Sequence, residues 1–188
     1  EGNKGEYLFL IDEAHNLIDR GRDMYSAELV KEDFLALKKT VKVYDTKMSK
    51  QLEKCNHEFL MQKRECNDSK VLDDISVFVR ALERLYTTIE EYLENHDESP
   101  VREEVLEFYF KVSHFLLIYE IMDNKYITYD FLQSDGSFVL KLFCVDPSKN
   151  LAACMERGVS TIFFSATLLP IRYHKKLLGG TDEDYEVY

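Results

Sequence analysis

The chain has 188 residues, a length that accommodates one or two domains. At 45% apolar residues it is too apolar for a disordered chain, and a net charge of -11 repels a phosphate backbone from the molecule taken as a whole. Seven Gly and three Pro are few for a loop-rich all-β fold and favour long uninterrupted elements.

The first element is a continuous apolar run at 7–11, Tyr7 to Ile11. It reads as a fully buried strand of a parallel sheet. Helical seams follow. Phe34, Leu37, Val41, Tyr44, Met48, Leu52, Cys55 and Phe59 recur at three- and four-residue spacing, which predicts one helix from about 33 to 60, ~40 Å long. A second seam runs through Val71, Ile75, Phe78, Leu82, Leu85, Ile89 and Tyr92, and a third through Val101, Val105, Phe108, Val112, Phe115, Tyr119 and Met122. Ser99 is suited to capping the third helix and Pro100 to its first position. The short link predicts an antiparallel pair, with the first helix alongside as an elongated, arch-like bundle.

The period then changes to two. Residues 126–132 and 137–145 flank Ser134, Asp135 and Gly136, which predicts a β-hairpin. Asp146, Pro147 and Ser148 stop the second strand, with Ser148 placed to cap a short helix. Val159 to Phe164 form a second buried apolar strand. The fold class expected is mainly α with a small α/β part. The divisions are 1–30, the edge of a sheet domain, 31–125, the helical insert, and 126–188, the hairpin and the return to the sheet.

No apolar run approaches the roughly 18 residues of a membrane span, and no basic-then-apolar leader opens the chain. Cys55, Cys66, Cys144 and Cys154 are irregularly placed. They read as small buried hydrophobes, not as a disulfide framework or a metal centre. These features predict an intracellular protein, cytoplasmic or, in a eukaryote, nuclear, without a membrane partner.

Chemistry concentrates after the two strands. Asp12, Glu13, Ala14 and His15 follow the first. Adjacent carboxylates at the carboxyl end of a buried strand sit where open α/β sheets bind ligands. In nucleotide hydrolysis one carboxylate holds Mg²⁺ and the next polarises the attacking water. The same four residues read equally well as an ordinary acidic turn. Ser165, Ala166 and Thr167 end the second strand.

Taken together, these two phrases resemble motifs II and III of superfamily-two helicases. Leu10 to Leu17, Arg20, Tyr25 with Ser26, Cys144 to Ser148, and Phe164 to Leu168 resemble the DinG/XPD branch, in which a helical arch is inserted between the two motifs. The resemblance covers about 7–30 and 137–180. It implies an ATP-dependent DNA helicase with ATP and Mg²⁺ as ligands and a 5′ to 3′ polarity. Asp12 would hold the metal and Glu13 would activate water. His15, Ser165 and Thr167 would couple the nucleotide and DNA sites, and the arch would enclose single-stranded DNA. The chain contains no G-x-x-x-x-G-K-[ST] phosphate loop. It therefore reads as a piece of a larger helicase that acts with the remaining motor domains in cis. By itself it would be inactive. The family's iron–sulfur cluster would lie before Asp12, outside this sequence.

Charge is uneven. Residues 31–64 carry nine basic and five acidic side chains, +4, whereas 83–107 carry two basic and nine acidic, -7. Lys38, Lys39 and Lys42 cluster on the basic stretch and are the expected DNA contacts, with the acidic hairpin tip facing away. The alternative is a non-catalytic helical module whose acidic hairpin docks a partner protein.

Overall fold

The computed structural model describes residues 5–187. The chain is mainly α with a small α/β part, and it divides into two compact units. One comprises residues up to 26, 124–126 and 144 onward; the other comprises 27–123 and 127–143.

The α/β unit begins with β1 (Leu8–Ile11) and α1 (His15–Met24). Its later part holds α6 (Ser148–Met155), β6 (Ser160–Phe163) and α7 (Ile171–Leu177). Strands β1 and β6 pair in parallel with Leu8 opposite Ser160 and Ile11 opposite Phe163, as the two apolar runs predict. Full burial does not hold. Leu8 is 72% and Leu10 68% exposed, and Ile162 is 57% exposed. Among the described residues the sheet has two strands. Its packed face meets Ala14, Ile18, Leu151 and Leu178, while Leu8, Leu10 and Ile162 mark the open one. Gly158 precedes β6 because a Cβ there would lie 2.5 Å from the Phe9 ring and 2.9 Å from the Tyr7 carbonyl.

The helical unit is built from β2 (Ala27–Val30), α2 (Lys31–Val41), α3 (Thr46–Glu65), β3 (Ser69–Val71), α4 (Ser76–Asn95) and α5 (Arg102–Ile121). Strands β4 (Tyr126–Leu132) and β5 (Phe138–Cys144) complete a four-stranded sheet in the order β2-β5-β4-β3. The hairpin therefore joins the helical unit, not the return to β6, because β2 and β3 hold its two outer edges. Leu29 pairs with Leu140 and Lys70 with Asp130.

The single 33–60 helix is a correction: it is two helices. Asp45 caps α3 by accepting the Met48 N–H at 2.8 Å, and the Tyr44 and Asp45 N–H groups both turn back to the Val41 carbonyl. The chain reverses there, so Phe34 on α2 meets Phe59 on α3 at 5.1 Å. Lys38 likewise pairs with Glu53 at 3.2 Å. Helix α4 starts at Ser76, where Asp74 accepts both the backbone N–H and the hydroxyl of Ser76. Val71, assigned above to its seam, lies instead on β3 and is 67% exposed. Helices α4 and α5 are the expected antiparallel pair: Tyr86 and Tyr109 stack at 5.0 Å and share a hydroxyl hydrogen bond of 2.7 Å.

Phenylalanines hold this unit together. Phe34, Phe59, Phe78, Phe108, Phe115 and Phe138 form a continuous set of edge-on ring contacts, the closest between Phe59 and Phe78 at 4.7 Å. Each is 5% exposed or less. Edge-to-face geometry aligns the ring quadrupoles favourably and adds to area burial.

Candidate functional site

The carboxyl ends of β1 and β6 bring the two sequence phrases together. The pairing continues past the strands. Phe164 N–H donates to the Ile11 carbonyl at 3.0 Å, and Ala14 N–H donates to the Phe164 carbonyl at 3.2 Å. Those two bonds fix the turn at 12–14 against the loop at 164–167. Glu13 occupies the left-handed region, with φ at 49°, where a side chain other than Gly is uncommon and costs about 1–3 kcal/mol. Asp12 Oδ1 accepts the Glu13 N–H at 2.7 Å and supports that conformation. Buried Ala14 and Ile18 anchor the turn and the start of α1 from beneath.

Ser165 is the hub. Its Oγ lies 2.8 Å from His15 Nδ1 and donates to Glu13 Oε2 at 3.2 Å. It also accepts the Thr167 N–H at 3.2 Å. Thr167 Oγ1 lies 3.1 Å from His15 Nδ1, and Glu13 Oε2 lies 3.2 Å from the same nitrogen. One proton arrangement satisfies the set: with the proton on Nδ1, His15 donates to Ser165 and Ser165 donates to Glu13. Nε2 then carries the lone pair. A change at Glu13 reaches His15 both directly, across the 3.2 Å contact, and through the Ser165 hydroxyl.

The five residues assigned to motifs II and III are thus within one small region, at the end of a parallel strand pair. Asp12 and Glu13 are exposed, whereas His15 and Ser165 are half-buried. Asp12 presents hard carboxylate oxygens. Among the described residues no group of three or more His, Cys, Asp or Glu side chains could hold a metal ion. Asp12 alone still suits a magnesium ion, which binds through one or two carboxylates and takes the rest of its shell from phosphate and water.

Other residues near these two phrases serve local structure. Ser26 Oγ donates to the Arg22 carbonyl at 2.6 Å and accepts the Cys144 N–H at 2.9 Å. Tyr25 OH lies 3.2 Å from Cys154 Sγ, and burial, followed by that thiol, pushes the phenol up to about 12. None of the four cysteines is in a disulfide, and three are buried. Cys55, on α3, is raised to about 12 by burial.

The lysines are less uniform than their spacing implies. Lys38 is half-buried in its pair with Glu53, while Lys39 and Lys42 are exposed. The acidic tip shares an end of the helical unit with the α2–α3 turn. Lys47, at the start of α3, pairs with Glu91 on α4, so the α2–α3 turn and the α4–α5 turn lie at one end of the helical unit. Periodicity alone hides this, because it runs α2 and α3 together as one rod. Asp45, as an N-cap, is the sequence signal that marks the reversal.

No helix is long and apolar enough to cross a membrane among the described residues. The chain matches no family model, and no curated protein sequence gives a significant match.

Proposed function

We propose that this chain forms the hydrolytic edge and the helical insert of an ATP-dependent DNA helicase of the DinG/XPD kind, moving 5′ to 3′. The observation that carries the reading is the Ser165 hydroxyl bridging His15 Nδ1 at 2.8 Å and Glu13 Oε2 at 3.2 Å at the ends of adjacent parallel strands. An ordinary acidic turn needs no such link to a second strand end. The apolar outer face of β1 and β6, with Leu8, Leu10 and Ile162 exposed, is consistent with a parallel sheet whose second face is covered by the rest of a motor domain.

Asp12 would hold magnesium, which on binding with ATP neutralises charge on the phosphates. Glu13 is exposed and orients the attacking water by accepting a hydrogen bond from it. Its carboxylate is already aimed, because the left-handed turn and the Ser165 hydroxyl fix it. His15 and Thr167 hold the Ser165 hydroxyl, and His15 also meets the Glu13 carboxylate directly at 3.2 Å. The helical unit would wall a path for single-stranded DNA, with Lys39 and Lys42 as its available cations and Lys38 secondary to its pair with Glu53.

The test is ATP turnover by the longer polypeptide that carries this segment together with a phosphate loop. DNA-stimulated hydrolysis that disappears in Glu13→Gln supports the reading. The 188-residue chain alone is expected to show no hydrolysis, because phosphate cradling, metal and water must act together.

A further inference from the structure

Helix α5 is apolar on two faces. Its inner seam, centred on buried Phe108 and Phe115, packs into the phenylalanine set. Shifting that seam by two residues, about 200° round the helix, gives Glu103, Glu107, Phe110, His114, Leu117 and Ile121. All six are exposed, and Phe110 and Leu117 are more than half exposed. Their spacing of 4, 3, 4, 3 and 4 is that of a heptad seam, whose knobs fit the holes of another helix. A helix with solvent on one side ordinarily keeps that side polar. From Phe110 onward the outer seam of α5 is apolar except at His114.

The two carboxylates at its start select the occupant. Arg102 and Lys111, on the same helix, are engaged by Asp97 and Asp33. A second copy does not complete the seam. In parallel pairing Glu103 and Glu107 would each face their own counterparts. In antiparallel pairing, with Phe110 against His114, Glu103 would meet Ile121 and Glu107 would meet Leu117. The first arrangement opposes like charges and the second buries carboxylates against carbon. A helix with apolar side chains opposite Phe110, Leu117 and Ile121, and lysine or arginine opposite the two glutamates, satisfies both ends.

We infer that the outer face of α5 docks an amphipathic helix of a partner protein, its apolar seam ending in basic residues that meet Glu103 and Glu107. The inference does not depend on the helicase reading, since every residue involved lies in the helical unit.

The test is fluorescence anisotropy of the chain with two labelled helical peptides of about 21 residues, each with a leucine seam. One carries lysine, the other glutamate, at the two seam positions that meet Glu103 and Glu107. The lysine peptide should bind saturably and at least about tenfold more tightly than the glutamate peptide. Phe110→Ala should weaken it at least about fivefold, and Glu103→Lys with Glu107→Lys should reverse the preference between the peptides. Glu94→Lys with Glu98→Lys, at the α4–α5 turn, should stay within about twofold. All five side chains are exposed, melting curves check that each variant folds, and the comparison of the two peptides needs no variant. Absence of saturable binding, or equal affinity for both peptides, would overturn the inference. So would an unchanged affinity in Phe110→Ala, or equal weakening by the turn double change, which would mean diffuse attraction to an acidic surface. Self-association abolished in Phe110→Ala would assign the seam to a second copy. Binding by the chain but not by the longer polypeptide that contains it would assign the seam to a helix in cis. Either result contradicts a partner protein.

Discussion

Ser165 Oγ lies 2.8 Å from His15 Nδ1, across 150 residues of intervening chain. The two meet because β1 and β6 pair in parallel and end at the same level, Ile11 opposite Phe163. Under the proposed function this hydroxyl relays the state of Glu13 to the second strand. Ser165→Ala, in the longer polypeptide, is expected to reduce DNA stimulation of ATP turnover at least about tenfold while changing basal turnover far less, since Glu13 itself is kept. Steady-state rates with and without single-stranded DNA check this. Equal loss in both conditions would mean that Ser165 merely supports the fold.

The phenylalanine set makes a stability prediction. Phe108 is 5% exposed and meets Phe34 at 4.9 Å. Phe108→Ala should cost about 3–5 kcal/mol. Phe110, two residues on and 61% exposed, should cost less than about 0.5 kcal/mol on the same change. Denaturant titration of both variants separates a core seam from a surface one. Similar midpoints would contradict the packing described.

Much of this architecture is legible in the sequence, and the exceptions have identifiable causes. The α4 and α5 seams, the hairpin and the pairing of the two apolar strands follow from periodicity. The α2–α3 reversal does not, because Tyr44 continues the three–four spacing between Val41 and Met48 while being exposed. Neither Gly nor Pro marks the break, and only Asp45, as an N-cap, does. Strand β3 is three residues long, too short to show alternation, and its Val71 falls in step with the following seam. The outer face of β1 reads as buried because a continuous apolar run does not say whether a second layer covers it. That residues 12, 13, 15, 165 and 167 lie at two strand ends follows from type and position. Their hydrogen-bonded order, with Ser165 at the centre, emerges only from the strand register.

Asp130 gives a pH prediction. It is fully buried on β4, and neither carboxylate oxygen has a hydrogen-bond partner of normal geometry. Burial raises its pKa, and the Cys66 thiol and the Lys70 ammonium pull it back only in part; Glu65 adds to the rise. The native state thus holds this proton more tightly than the unfolded chain does. Its contribution to stability is full below the ordinary Asp value and is lost as pH rises through the elevated one. Asp130→Asn should remove that loss and stabilise the protein by about 1–3 kcal/mol at pH 7, with the gain shrinking as the pH falls through the elevated value towards the ordinary Asp one. Melting temperatures of both proteins across that range check the sign. A gain that grows on acidification would contradict it.

The exposed lysines make a prediction about DNA. Lys39 and Lys42 stand outside the Glu53 pairing that engages Lys38. In the longer polypeptide, Lys39→Glu with Lys42→Glu should weaken single-strand binding and flatten its salt dependence by about 0.7 in log–log slope for each phosphate no longer neutralised. Lys38→Glu alone should do less. A salt titration in which the double variant matches the wild type would move the DNA path away from α2.

The central claim is that Glu13 activates water for ATP hydrolysis, and the most direct measurement is ATP turnover beside nucleotide affinity for Glu13→Gln in the longer polypeptide. The change removes charge but keeps size and hydrogen-bonding capacity. Turnover should fall at least about a hundredfold with nucleotide affinity within about threefold, the signature of an interaction used in the transition state rather than in binding. Turnover close to wild type, with the network around Ser165 intact, would contradict it.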